Sequence, residues 1–269
     1  MILISYWDLA SLSVLVFLLG IFLWLNGFNK VKQLWIAAAR MIVQLLFMGV
    51  WLSYVFYADN PIWIILVGLV MLTAAGYEIS KRQQYRFKKL NGWLVGFLAL
   101  SMTTLVLLVA VLTIVIQPTP WYEPQYAIPL LGMLLGNSMT AIGLGLDTLT
   151  RSAVQSKAKI EAQLVLGKTA KQSMNFIRQQ SLHAAMIPII NMLVAAGIIS
   201  LPGMMTGQIL AGADPVEAVK YQIMIMLLIA TSTGLGTLMA IELASRRLFD
   251  DRQRLQLDQL IKKEGKKKS

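Results

Sequence analysis

Few residues of this chain have the type and spacing needed for chemistry, and most of them lack partners. Gly167-Lys168-Thr169 is the closing half of a phosphate-binding P-loop. The full motif needs a glycine five residues earlier on a loop that follows a strand, and Ala162 stands there, in a run of helical character. No nucleotide site is expected from it. His183 is the single histidine, so the chain's imidazoles cannot build a histidine-rich metal site or a His-dependent triad. It borders an apolar run and reads as an interfacial side chain. Lys220 lies in the last apolar run, where a retinal Schiff base would need a midplane position and a carboxylate on another helix. It instead sits near the end of the run with Glu217 close by, as a lysine reaching for the interface does. Met204, Met205, Met224 and Met226, among 15 methionines, are thioethers suited to soft Cu(I), but in apolar runs methionine mainly packs. No HExxH, nucleophile elbow or paired catalytic carboxylates appear, and the chain is not expected to be an enzyme. The polar groups inside apolar runs remain: Asn137, Asp147, Asn191, Gln208, Gln222 and Glu242. Such groups face a bundle interior or a pathway, or join helices by hydrogen bonds.

The elements that hold these residues are membrane spans. Of 269 residues, 57% are hydrophobic and 14% charged, against about a quarter charged in soluble domains, so lipid is the main solvent. With no cysteine, disulfides and thiolate metal sites are excluded. Apolar runs cover Leu9 to Leu25, Leu34 to Tyr57, Ile62 to Tyr77, Trp93 to Ile116, Ala127 to Leu149, Leu182 to Ser200 and Val216 to Ala244, which predicts an all-α integral membrane protein of about seven transmembrane helices in one domain, 1–269. Tyr57-Ala-Asp-Asn-Pro61 reads as a tight turn, and the prolines around Trp121 and Tyr122 end the fourth run at a headgroup interface. Gly132 and Gly136, followed by Ala141 and Gly145, supply small-residue spacing for close helix contact. The segment 201–215 is apolar but broken by glycine and proline, as a re-entrant or interfacial piece would be.

The charge excess is basic, 24 Lys and Arg against 13 Asp and Glu. The bases lie between apolar runs rather than on a soluble module, so the partner is membrane lipid and not nucleic acid. The loops after the first, third and fifth runs, with the tail 246–269, hold 22 of the 24. That asymmetry predicts an outside N-terminus and a cytoplasmic C-terminus. The long segment Arg151 to Pro188 is then cytoplasmic at its polar part, 151–180. Val154, Ala158, Ala162 and Val165 mark one helix face, Gly167 breaks it, and Thr169 with Gln172 forms a capping box for a second helix with Met174, Ile177 and Ser181 along one stripe. Lys157, Lys159, Lys168, Lys171 and Arg178 are expected on the outer faces.

Glu161-Ala162-Gln163, then three residues, then Gly167 resembles the EAA loop of ABC-transporter permeases, though the downstream I-x-L-P is not matched at Ile177 to Gln180. The stretches Gly132 to Met139, Leu201 to Gly212 (LPGMMTGQILAG) and Asp214 to Met224 (DPVEAVKYQIM) resemble the FetB-like permease family, which includes bacterial iron-export permeases and a plant aluminium-tolerance permease. The likeness runs from about the second run onward. It implies a permease subunit in the bacterial inner membrane, paired with a second copy and with two copies of a soluble ATPase that holds the ATP and Mg. This chain would carry no cofactor. It further implies iron or other metal export linked to oxidative-stress resistance, with nucleotide sugars or another small solute as the alternative cargo. Glu161, Ala162, Gly167, Lys168 and Thr169 would couple to the ATPase. Asn137, Met139, Asn191, Met204, Met205, Gln208, Gln222 and Met224 are the candidates for the translocation pathway. A seven-span receptor or a passive channel are the competing classes.

Overall fold

The computed structural model describes residues 5–28, 30–57, 61–88 and 91–262. The chain divides into two compact units, Met1–Asn60 and Pro61–Ser269. The first is a helical hairpin. A capping box at Ser5, with the Asp8 carboxylate accepting the Ser5 N–H at 2.9 Å, starts α1 (Tyr6–Leu25). α2 (Val31–Tyr57) returns beside it, and Phe17 stacks on Trp35 with centroids 5.0 Å apart. The turn expected after Tyr57 lies outside the described residues, as do Lys89 and the last stretch of the tail, 263–269.

The second unit holds α3 (Pro61–Arg82), β1 (Tyr85–Phe87), α4 (Asn91–Ala110) continued by a π-helical segment Val111–Ile116, and α5 (Pro124–Gln155). A short α6 (Lys157–Val165), α7 (Ala170–Ala195), another short helix α8 (Gly203–Leu210), α9 (Pro215–Arg247) and β2 (Leu260–Lys262) follow. α5 is the hub, packed on α3, α4, α7 and α9. Its Leu134, Ile142, Leu146 and Leu149 are fully buried. Gly145 permits a close approach on two sides: a Cβ there would stand 3.2 Å from Thr237 and 3.3 Å from Ala185, so α7 and α9 both press on a bare backbone. The expected Gly132 and Gly136 pair is not such a seam. Gly132 faces Met71 of α3, while Gly136 has nothing within 4 Å.

Among the described residues, six helices are long and apolar enough to cross a membrane: α1, α2, α3, α4 with its π-helical end, α5 and α9. The protein is thus a multi-pass, all-α membrane protein. The sixth of the seven expected runs behaves differently. α7 ends at Ala195, not Ser200, so its apolar part from Leu182 covers only about 21 Å at ~1.5 Å per residue, against a hydrocarbon core of ~30 Å. Its first three turns, Lys171 to Gln180, are mostly polar, with Met174 and Ile177 buried on one side. Segment 201–215 is a short helix followed by a turn in which Asp214 caps α9, its Oδ1 accepting the N–H groups of Val216 (2.9 Å) and Glu217 (3.1 Å), with Pro215 in the first turn.

The ends of α3, α5 and α9 and the start of α7 meet at one end of the bundle, where most of the unit's bases lie. β1 pairs antiparallel with β2 in the register Tyr85–Lys262, Arg86–Ile261 and Phe87–Leu260. Gln253 Oε1 accepts the N–H of Ala170 at 2.8 Å, supplying a partner for an otherwise free donor at the start of α7. The stretch after Arg247 reads in sequence only as a basic tail. Through residue 262 it is folded, with Leu248 fully buried.

Candidate functional site

The elbow between α5 and α7 has the local chemistry its sequence announces. α5 ends at Gln155 and α6 begins two residues later, where Ser156 leaves helical geometry. α6 is anchored by one residue, Ile160, with no exposed surface. Leu164, one turn on, packs partly against the same core. Lys159 Nζ lies 4.1 Å from the centroid of the Phe176 ring, a cation–π contact that ties α6 to α7. The C-terminus of α6 is a Schellman motif: Lys168 N–H donates to Gln163 O (3.1 Å) and Gly167 N–H to Leu164 O (2.9 Å). It requires the φ of +83° at Gly167, which a side chain would strain. Thr169 then caps α7, its Oγ1 accepting the Gln172 N–H at 3.3 Å while Gln172 Oε1 accepts the Thr169 N–H at 3.0 Å.

This geometry turns the expected apolar face outward. Because the chain breaks at Ser156, Val154 belongs to α5, and on α6 the buried positions are Ile160 and Leu164. Ala158, Glu161, Ala162 and Val165 share the free side. Val165 is 87% exposed and Leu166 79%, an apolar tip next to the Lys157–Glu161 pair (3.8 Å). Glu161, Ala162, Gly167, Lys168 and Thr169 are therefore together and accessible, although the Thr169 hydroxyl is committed to its cap. Arg178 departs from expectation. It is three-quarters buried and pairs with Glu242 of α9, which also accepts from Arg246 Nε at 2.8 Å.

The polar span residues form no single cluster. Asn137 is half-buried and donates to Met133 O, one turn back on its own helix, at 2.9 Å. Met139 is packed on the core, and Asn191 is exposed on α7. Met204, Met205 and Gln208 lie on α8, which packs on α9, the helix of Gln222 and Met224. Gln208 Oε1 and Gln222 Oε1 are both buried without a hydrogen-bond partner. Among the described residues no hydrogen bond joins any two of these eight. Asp147 serves the fold instead, since its Oδ1 accepts the Gln84 N–H at 2.6 Å and holds the start of the β1 loop against α5. Lys220 pairs with Glu217 at 2.6 Å, both exposed.

Two groupings were not anticipated. Ser232 of α9 contacts Ser138 of α5 at 3.0 Å and Thr104 of α4 at 3.4 Å, all buried, so three helices meet at hydroxyls. The other is the Arg178–Glu242–Arg246 cluster. A serine or threonine within each of three apolar runs was the available signal for the first, but nothing local gave the pairing. Among the described residues no group of three or more His, Asp or Glu side chains converges as a metal site would.

Residues 6–249 match the family model described as "Uncharacterised protein family (UPF0014)". The chain is 40% identical over 93% of its length to a UPF0014 membrane protein of Synechocystis sp., covering 94% of that protein. It is 36% identical to the UPF0014 membrane protein YjkA of Bacillus subtilis, over 92% of this chain and 98% of that one. With Escherichia coli "Probable iron export permease protein FetB" it shares 33% identity over 86% of each chain. No solved structure matches it.

Proposed function

This chain belongs to the UPF0014 family of membrane proteins, and we propose that it serves as the permease subunit of an ABC transporter in the cytoplasmic membrane, exporting a metal ion, iron first, with energy from a separate ATPase. The observation that carries the reading is the exposed tip of the elbow: Glu161, Ala162, Val165 and Leu166 on one free face of a capped helix, set between two bundle helices. An apolar surface on so rigid a mount suits a protein partner, since isolated exposed apolar tips gain little from water. The iron assignment rests on the name carried by the E. coli relative.

In this reading α7 crosses with its polar first turns in the cytoplasm, which agrees with its opposite course to α5 and α9 and gives seven spans, an outside N-terminus and a cytoplasmic C-terminus. Two permease chains stand with two ATPase chains. Closure of the ATPase pair pushes α6, and the two caps that flank Gly167 pass the displacement to α5 and α7 without unwinding either. The contact at Gly145 lets α5 shift against α7 and α9. The α8–α9 seam, with Met204, Gln208, Gln222 and Met224, is the first candidate for the path of the ion, followed by Asn137, Met139, Met205 and Asn191. The permease itself hydrolyses nothing.

Burial of a Leu or Val side chain contributes about 1.5–3 kcal/mol. Leu166→Asp, at an exposed position that the fold does not need, should therefore reduce co-purification with the ATPase about tenfold or more while membrane insertion stays intact. Gly167→Val should do the same by distorting the tip. If both variants retain the ATPase and transport like the parent protein, the coupling role is wrong.

A further inference from the structure

Between α7 and α9 at the basic end lies a pocket of about 220 Å³ lined by Lys171, Met174, Arg178, Glu242, Ser245, Arg246 and Phe249, with Ala170 at its edge. Three bases against one carboxylate surround a space whose walls are otherwise apolar apart from Ser245, whose hydroxyl donates to Glu242 O at 3.1 Å. The carboxylate is already committed, since Glu242 is shared between Arg178 and Arg246, and Lys171 makes no ion pair among the described residues. The pocket thus holds a positive excess that no further carboxylate among the described residues neutralises. Its volume falls below the roughly 300–1,000 Å³ of drug-sized ligand sites, too small for a nucleotide and sufficient for a phosphate group with a few attached carbons. The level matters too. Arg178 lies one turn before the apolar run of α7 starts at Leu182, and Arg246 is one residue from the end of α9 at Arg247, so the pocket sits where apolar surface changes to charged. Bases at that level meet lipid headgroups.

We propose that this pocket binds a phosphate-bearing anion, and that in the membrane the anion is the headgroup of an anionic phospholipid. Lys171 and Arg246, both exposed at the rim, supply the charge, and the Ser245 side chain stands among them. Half-buried Phe249, backed by fully buried Met174, forms a wall that the glycerol end of a lipid would use and a hydrated free phosphate would not. This site does not depend on the permease reading, and its test involves neither ATPase nor transport.

The full-length protein in a non-ionic detergent is titrated separately with short-chain phosphatidylglycerol, short-chain phosphatidylcholine and inorganic phosphate, and one-to-one adducts are read by native mass spectrometry. Phosphatidylglycerol should bind more tightly than phosphatidylcholine. Lys171→Gln should weaken it about fivefold, and Lys171→Gln with Arg246→Gln about 25-fold, from the ~1 kcal/mol attributed to each base near an anionic headgroup. Lys157→Gln on α6 serves as the control and should leave binding unchanged. Equal binding of both lipids, or a Lys171→Gln variant that binds phosphatidylglycerol like the parent, would overturn the proposal. If inorganic phosphate displaces phosphatidylglycerol at equal concentration, the lipid is not the source and that part of the proposal fails. Because Lys171 makes no ion pair among the described residues, its variant leaves the Arg178–Glu242–Arg246 contacts in place.

Discussion

At its basic end the α3–α9 unit joins segments far apart in sequence. β1 pairs with β2, Asp147 holds Gln84, Gln253 caps α7 and Arg178 reaches Glu242, a separation of 64 residues. At the opposite end the connections 117–123 and 196–214 are held by hydrogen bonds that span five residues or fewer, such as Gly197 to Ser200 and Ala213 to Gln208. The difference teaches where movement belongs. Under the proposed coupling, a push on α6 would reach a cross-braced end that shifts as a block, whereas the loosely tied end has few long-range bonds to lose. Energy delivered at one end would therefore emerge as opening at the other.

The strongest way to break this contrast is at Arg178. Arg178→Ala strips Glu242 of a partly buried partner. Fully buried pairs lose about 3–5 kcal/mol when one member goes; here both side chains keep some exposure and Arg246 still holds Glu242, so a loss of about 2 kcal/mol is expected, read as a lower unfolding midpoint of the purified protein. An unchanged midpoint would mean the brace carries no load. Next comes the loose end. Gln222→Leu removes an unsatisfied buried oxygen and should be neutral or stabilising by about 1 kcal/mol. If the residue lines the ion path, the same variant will also slow transport; greater stability with unaltered transport assigns Gln222 to packing alone. The smallest effect is expected at Asp250, whose carboxyl is held below its ordinary value of 3.8, first by the backbone N–H of Arg254, then by the Arg254 guanidinium and the Arg252 N–H. A depressed carboxyl stabilises fully above its unfolded value and loses that contribution as pH falls through the folded one. Amide exchange at Arg252 and Arg254 should speed up relative to Gln256 between about pH 4 and lower pH, and not between about pH 6 and pH 5. Parallel behaviour of all three amides throughout would show that the turn does not depend on this charge.

The elbow was legible because caps are local. Gly167, Thr169 and Gln172 fix their geometry through neighbours three to five residues away, and the sequence names those neighbours. The hydrophobic runs were legible for the same reason, with α7 the exception: its apolar run continues to Ser200, but the chain turns after Ala195, where Gly197 adopts a φ of +87°. Which face of α6 turns inward could not be read, because Ala158, Ala162 and Val165 form as apolar a stripe as Ile160 and Leu164, and the break at Ser156 decides between them. The brace was invisible. Its strands are three residues each, too short for an alternating pattern, and Arg178 looked like one more base on a basic surface until Glu242 of α9 came beside it.

The pairing of β1 with β2 also sets an order of manufacture. Tyr85 to Phe87 emerge early in synthesis and wait for partners at Leu260 to Lys262, and the start of α7 waits likewise for Gln253. No chain interrupted before residue 260 can close its basic end. The basic end is thus completed only on a finished molecule, and a truncated product would enter the membrane without a finished mount for its own elbow.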